Sequence, residues 1–436
     1  MLPPDIISFE MERNMRVLLI SANTEKINIL PAPLGLNYVA AATQESGHDV
    51  RLLDLMSHAD RLAPVRQAVE SFQPEIIGIS VRNIDDQVMQ AARFLLDEVR
   101  GLVRECRNLS GAPIVLGGAG YSIFPQAVLD YLEADMGIQG EGEAAFPELL
   151  ARLAKGEDPA GLPGLYLQGR GLQGERAFIR DLGCLPVSGV HHFLTAYDRN
   201  LWMPFQTRRG CPMNCSYCST AVIEGRTLRK RPPEQAVREL KMLVQAGFRQ
   251  FYFVDNTFNL PASYAKEICR LIIREGLDIQ WRCIFYPGTV DEELIGLMAE
   301  AGCCEVSLGF ESGSARILKA LNKRFSPEEV HRTSEVLARH GIRQMGFLLL
   351  GGPGETRESV MESLRFADSL SLDSGKVSRG IRIYPGTALA KIAADEGKIA
   401  RDDALLRPAF YMVREIEEWL AGEVAAWIAD RPHWMG

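Results

Sequence analysis

The chain has little of what would tie it to a membrane, to nucleic acid or to an oxidising compartment. Its longest apolar runs, such as Met345 to Leu350, fall far short of the roughly 20 residues that a spanning helix needs. No N-terminal stretch has the charged, apolar and small-residue order of a signal peptide. Basic residues number 48 against 56 acidic ones, and the net charge of −8 argues against nonspecific nucleic-acid binding. The nine cysteines are an odd count with irregular spacing, and outside one segment they lie singly or as the pair Cys303-Cys304 within apolar stretches. That excludes a disulfide scaffold and fits a reducing cytoplasm. No G-x-G-x-x-G follows the first expected strand, which lowers the dinucleotide alternative. No Ser-His-Asp order or carboxylate pair stands out as conventional acid–base machinery.

What is present is a regular alternation of short apolar runs and helical periodicity. At 436 residues, with 47% hydrophobic and 24% charged content, the chain should hold two or three soluble domains. Residues 1–14 read as an extension. From residue 15 to 154, strands at Arg16–Ser21, Val50–Leu53, Ile76–Val81, Pro113–Leu116 and Met136–Gln139 alternate with helices, including a long one over Asp85–Val103. The pattern predicts a doubly wound parallel sheet. Ligands of such sheets bind beyond the carboxyl ends of the strands. Those ends carry Ser21-Ala-Asn23, Ser80-Val-Arg82-Asn83, Gly117-Gly118-Ala-Gly120 and Gly140-Glu141-Gly142-Glu143. Residues 155–200 lose the rhythm and read as a connector with a β-hairpin. A second alternation fills 201–388, with strands at Met203–Thr207, Gln250–Val254, Ile279–Cys283, Glu305–Gly309, Gln344–Leu350 and Lys376–Ile383. Six βα units are fewer than the eight of a closed barrel, so an open barrel is expected. Residues 389–436 read as a mostly helical tail. Its Phe410-Tyr411-Met412 and Trp419, Trp427 and Trp434 are expected to pack, with an apolar or lipid-like substrate as the alternative.

The most informative segment follows the first strand of the second alternation. Cys211, Cys215 and Cys218 stand in Arg209-Gly-Cys-Pro-Met-Asn-Cys-Ser-Tyr-Cys, a C-x3-C-x2-C spacing. Three thiolates can hold three irons of a [4Fe–4S] cluster, whose usual ligand count is four, and leave the fourth iron open to bind and reduce something. Zinc asks for four ligands, often as paired C-x2-C knuckles. No second pair follows, and the nearest later cysteine, Cys269, lies mid-helix.

This motif, its position and the βα units after it resemble the radical S-adenosylmethionine (radical SAM) superfamily over about residues 200 to 390. The resemblance implies that the open iron chelates S-adenosylmethionine (SAM), and that one electron cleaves its sulfonium to give a 5′-deoxyadenosyl radical. It implies roles for Tyr217 near the adenine, Asp255 at the methionyl amine, and Glu311 with Ser312 at the ribose. It assigns Gly351 and Gly352 of Leu350-Gly-Gly-Pro-Gly-Glu355 to the adenine side, and points Arg382 into the barrel. Arg208 and Arg209 either ease the cluster's charge or are simply solvated, and solvation is the favoured expectation.

The first domain, through Pro33-Leu-Gly35-Leu-Asn-Tyr38 and the glycine segments above, resembles the cobalamin-binding domain of class B radical SAM methylases. The D-x-H-x-x-G signature, whose histidine ligates cobalt in many corrinoid enzymes, is absent here as in many class B relatives, so no histidine is expected on the cobalt. The resemblance implies cobalamin contacts from Ser21, Asn23, Gly35, Ser80, Arg82, Asn83, Gly117, Gly118, Gly120, Gly140, Glu141 and Gly142. It implies methylation of an unactivated carbon of a small or lipid-like molecule through methylcobalamin. A flavodoxin or ferredoxin would be the electron donor. The alternatives are a radical rearrangement without methyl transfer, and a corrinoid carrier or regulatory protein. Methylthio transfer is disfavoured, because residues 1–150 contain only Cys106 and cannot supply a second cluster.

Overall fold

The two alternations become two parallel sheets in the computed structural model, which describes residues 14–25, 32–186 and 197–436. The extension over residues 1–14, except Asn14, and residues 187–196 of the expected connector lie outside the described residues. The first sheet contains β1 (Arg16–Ser21), β2 (Asp49–Asp54), β3 (Ile76–Ser80), β4 (Ile114–Gly117), β5 (Met136–Ile138), β6 (Leu165–Leu167) and β7 (Gly171–Leu172). Their order is β2-β1-β3-β4-β5-β6-β7, with the first five parallel and the hairpin β6–β7 antiparallel at one edge. The expected hairpin thus extends this sheet. Leu18 and Ile20 of β1 face one apolar core, and Val17 and Leu19 face another. A strand with helices on both faces reads as an unbroken apolar run for that reason. The strand order reverses between β1 and β3, which opens a crevice beyond their carboxyl ends.

The second domain adds β8 (Met203–Phe205), β9 (Arg208–Arg209), β10 (Arg229–Lys230), β11 (Gln250–Phe253), β12 (Gln280–Phe285), β13 (Cys303–Glu311), β14 (Arg343–Leu350), β15 (Ser374–Arg379), β16 (Ile381–Arg382), β17 (Phe410–Tyr411) and β18 (Trp434–Met435). Its main sheet runs β18-β15-β14-β13-β12-β11-β8, parallel throughout. Side chains alternate along each strand. Phe251, Phe253, Trp281, Cys283, Val306 and Leu308 join the core, while Tyr252, Arg282, Glu305 and Ser307 line an internal cavity.

Two expectations need correction. The segment expected as one helix over Asp85–Val103 is irregular to residue 95, with a 3-10 turn at Met89–Ala91, and its helix spans Leu96–Leu109. Asp85 and Asp86 accept from the amides of Gln87 (3.0 Å) and Val88 (3.2 Å), and Gln87 takes φ 58°, so local side-chain bonds displace the first helical turns. The last barrel strand breaks at Gly380, at φ 79°, and its continuation β16 pairs with β17 of the tail. The tail is helical as expected, with helices over Ala388–Asp395 and Glu417–Ala429, and its end adds β18 to the barrel sheet. Trp427 and Trp434 pack at 4.8 Å between ring centroids and are both buried, so these aromatics serve the fold.

Candidate active site

The cysteine loop leaves the barrel where β8 ends. Buried Asp255 accepts from the Thr207 amide (2.8 Å), the Thr207 hydroxyl (2.5 Å) and the Arg208 amide (3.1 Å), which fixes the exit of the strand. Gly210 sits at φ 88°, and a Cβ there would lie 2.1 Å from the Thr227 carbonyl oxygen, so only glycine fits. The Cys211 amide donates to Gly225 O (3.1 Å) and the Cys218 amide to Cys215 O (3.3 Å). The Ser216 amide binds Leu321 O (3.0 Å), and Ser216 O accepts from Leu389 N (2.8 Å), which ties the loop to two helices. Burial pushes the Cys211 and Cys215 thiols up. Cys218 Sγ accepts from the Thr220 amide (3.5 Å). Among the described residues, no three His, Cys, Asp or Glu side chains converge as a single metal ion requires. A cluster instead takes each thiolate on a separate iron, and this donor set fits it.

Arg208 and Arg209 are not solvated. Their exposures are 1% and 5%. Arg208 Nη1 donates to Leu260 O (2.6 Å), and its Nε lies 3.4 Å from Asp255. Arg209 reaches across to the first domain, 2.6 Å from Glu143 and 3.4 Å from Glu141. Glu141 also pairs with Arg229 at 2.8 Å. Every charge in this buried group has an opposite partner, which is the condition for keeping it there. No periodicity reports such a contact, since its partners are 66 positions apart.

Beside the loop, Tyr217 donates from its hydroxyl to Glu311 (3.0 Å), and Lys323 lies 3.1 Å from the same carboxylate. The Lys323 ammonium sits 5.2 Å from the Tyr217 ring centroid and is held well above its ordinary pKa by Glu311 despite burial. Lys323 was missed in the sequence, where nothing marks it off from other helix-end lysines. Glu311 adopts φ 62°, a strained conformation for a non-glycine residue at the end of β13. Other expected SAM contacts already have partners inside the protein. Ser312 Oγ bonds Ser363 Oγ (2.8 Å). The Gly351 and Gly352 amides both donate to Glu355 (2.6 and 3.1 Å). Arg382 does not stand free in the barrel, because its Nε meets Asp85 of the first domain at 2.8 Å and its other nitrogens meet Ile383 O and Leu405 O.

A cavity of about 670 Å³ joins the carboxyl edge of the first sheet to the interior of the barrel. Eleven of the twelve expected cobalamin contacts line it: Ser21, Asn23, Gly35, Ser80, Arg82, Asn83, Gly117, Gly118, Gly140, Glu141 and Gly142. Gly120 does not; it lies under Val81 and Arg82, where a Cβ would come within 2.9 Å of the Arg82 carbonyl oxygen. Gly118, at φ 98°, turns the chain into the short helix Ala119–Ile123, which packs against Thr220–Glu224 just after the cysteine loop. Asn23 Nδ2 is buried without a hydrogen-bond partner among the described residues. A macrocycle rimmed by carboxamides fits this glycine cradle and its unused donor. Among the described residues no histidine lines the cavity. Arg82 faces it and has no ion pair among the described residues, and desolvation lowers its pKa. Glu224, also missed in the sequence, lines the far wall and accepts from Asn256 (2.6 Å) and the Gly210 amide (3.0 Å); burial raises its pKa.

Residues 206–367 match the radical SAM superfamily, and residues 4–150 match the B12 binding domain. An uncharacterized methyltransferase of Pyrococcus horikoshii is 29% identical over 393 residues, covering 87% of this chain and 83% of the relative. The tryptophan 2-C-methyltransferase of Streptomyces laurentii is 25% identical over 454 residues, covering 88% and 76%. Among solved structures, the radical SAM methyltransferase TsrM of Kitasatospora setae, with cobalamin and a [4Fe–4S] cluster bound, superposes with a TM-score of 0.84 at 24% identity over 97% of this chain and 91% of that one. The cobalamin-dependent SAM radical enzyme OxsB gives 0.76 at 18% identity over 95% and 67%. These two likenesses are of fold. The chain is thus a radical SAM enzyme. Its N-terminal B12-binding domain places it in the cobalamin-dependent class of that superfamily, with a [4Fe–4S] cluster, SAM and cobalamin as its cofactors.

Proposed function

We propose that the chain methylates a carbon atom of a small molecule held in the cavity between its two sheets. When bound, the cluster supplies single electrons to SAM and cobalamin supplies a transferable methyl group. Cys211, Cys215 and Cys218 are the cluster ligands of this reading. Tyr217 and Glu311 flank the nucleoside, with the Glu311 carboxylate offering acceptors to paired hydroxyls and Lys323 fixing its direction. Gly117, Gly118 and Gly140 would let a corrin ring approach the backbone, and Asn23 and Asn83, which line the same cavity, would offer amides to its rim. Buried ion pairs on either side, Arg209 with Glu143 and Arg382 with Asp85, hold the two domains face to face and keep water from the reacting centre.

The observation that carries the proposal is the continuity of the cavity from the glycine edge of one sheet to the strands of the other. Pro212 and Asn214 are exposed at the tip of the cysteine loop, where a flavodoxin- or ferredoxin-type donor could reach the cluster. Among the described residues no helix is long and apolar enough to cross a membrane, and a reducing cytoplasm suits an oxygen-labile cluster. The test is anaerobic reconstitution, iron and cobalt counts, and turnover of small-molecule candidates with methyl-labelled SAM. Label in the product, dependent on both metals, is the expected result. Turnover without label, or a protein that holds no cobalamin, overturns the proposal.

A further inference from the structure

We propose that the barrel wall of the cavity carries an anion-recognition point at Lys376, and that the substrate is a small organic anion with an aromatic or apolar body. This rests on the functional reading above and narrows its substrate class. The argument starts from the cations that line the cavity. Arg209 is neutralised by Glu141 and Glu143. Arg282 lies 3.2 Å from Glu305, with its guanidinium 3.5 Å from the Trp202 ring centroid. Arg82 follows β3 of the first sheet and approaches Tyr252 of β11. Lys376 is the remaining cation on a barrel strand, and among the described residues it has neither an ion pair nor a side-chain hydrogen bond.

The Lys376 ammonium faces the cavity without a counter-charge from the described residues. A bound carboxylate or phosphate would supply that counter-charge through a charge-assisted bond. The position is also firm. β15 is hydrogen-bonded on one edge to β14, where Lys376 pairs with Phe347, and on the other to β18, where it pairs with Met435. Trp434 packs so closely on the preceding Gly375 that a Cβ there would meet its ring at 2.5 Å. Fixed strands place a binding group better than loops do. Around Lys376 the wall is amphipathic, with Ser378 and Ser307 beside Tyr252, Met345 and Phe347. That suits a molecule with one charged end and a ring or short hydrocarbon body. The SAM carboxylate is a poorer occupant, since Tyr217, Glu311 and Lys323 do not line this cavity.

The test uses the reconstituted holoenzyme and matched probes: indole-3-propionate against indole-3-propionamide, and 3-phenylpropionate against its amide, by anaerobic calorimetry. The carboxylates should bind about tenfold more tightly than the amides. Lys376→Met should bring that preference to within about twofold and Lys376→Arg should retain most of it. The affinity for SAM, titrated separately, should not change in either variant. Equal affinities in the wild type, no binding of either probe, a preference that survives Lys376→Met, or a loss confined to SAM would each overturn the inference. Iron and cobalt counts and the visible spectrum of each variant keep the two readings apart. A protein without cluster or corrinoid refutes the proposed function, whereas a fully loaded protein with no charge preference refutes the anionic substrate alone.

Discussion

The two sheets are built from the same parallel strand–helix units, yet their carboxyl edges are opposite in chemistry. The first edge is made of absences. Gly117, Gly118 and Gly140 withdraw side chains, and Asn23 leaves a donor unused. The second edge is crowded, with a cysteine loop strapped by Gly210, Asp255 and Ser216 and a Tyr217–Glu311–Lys323 cluster beside it. An edge that must admit a large rigid ring needs backbone with nothing on it, whereas an edge that must hold an electron-transferring centre needs dense, paired donors. One architecture serves both because function here lies in the strand ends and not in the strands.

The strongest way to break the comparison is Cys215→Ala. It should lower SAM cleavage by about 10³-fold or more, with loss of iron measured directly, while cobalamin retention by the first domain stays intact. Arg209→Ala joins the edges instead of separating them, since it strands Glu143 in the interface. A loss of about 3–5 kcal/mol is expected in denaturant unfolding, with both cofactors held less firmly. Gly118→Ala sharpens the other side. Its Cβ would approach the Val81 carbonyl oxygen to 2.6 Å at φ 98°, so about 1–3 kcal/mol of strain and weaker corrinoid binding should appear, with an unchanged iron count.

The smallest effect concerns Glu355, whose pKa burial raises from 4.5 to about 7 although two amides oppose it. The folded protein therefore holds this proton more tightly than the unfolded chain. Its stabilising contribution is complete below pH 4.5 and is lost as the pH climbs through 7. Glu355→Gln should gain on the wild type by on the order of 2 kcal/mol between about pH 5 and 8, read from urea midpoints at each pH.

Much of this was legible in the sequence. The spacing of Cys211, Cys215 and Cys218 is local, and so are the glycine runs that end the strands of the first sheet. Burial on two faces leaves a continuous apolar signature that located central strands of the first sheet, whereas the barrel strands bury alternate residues and line the cavity with the others. What escaped depends on partners far along the chain. Arg208 and Arg209 look like surface residues until Asp255 and Glu143 are brought to them. The first turns of the expected helix over Asp85–Val103 are displaced by aspartate side chains, and Asp85 itself is held by Arg382, 297 positions away. Lys323 became visible only when β13 set Glu311 beside Tyr217. The short β18 carries no periodicity at all.

That terminal strand gives the molecule an order of assembly. The first sheet has all of its strands by residue 172, whereas the edge of β15 stays bare until Trp434 arrives. On a ribosome the corrinoid module would be finished and waiting while the barrel still lacked its seventh strand. The later domain would then mature against a surface already formed.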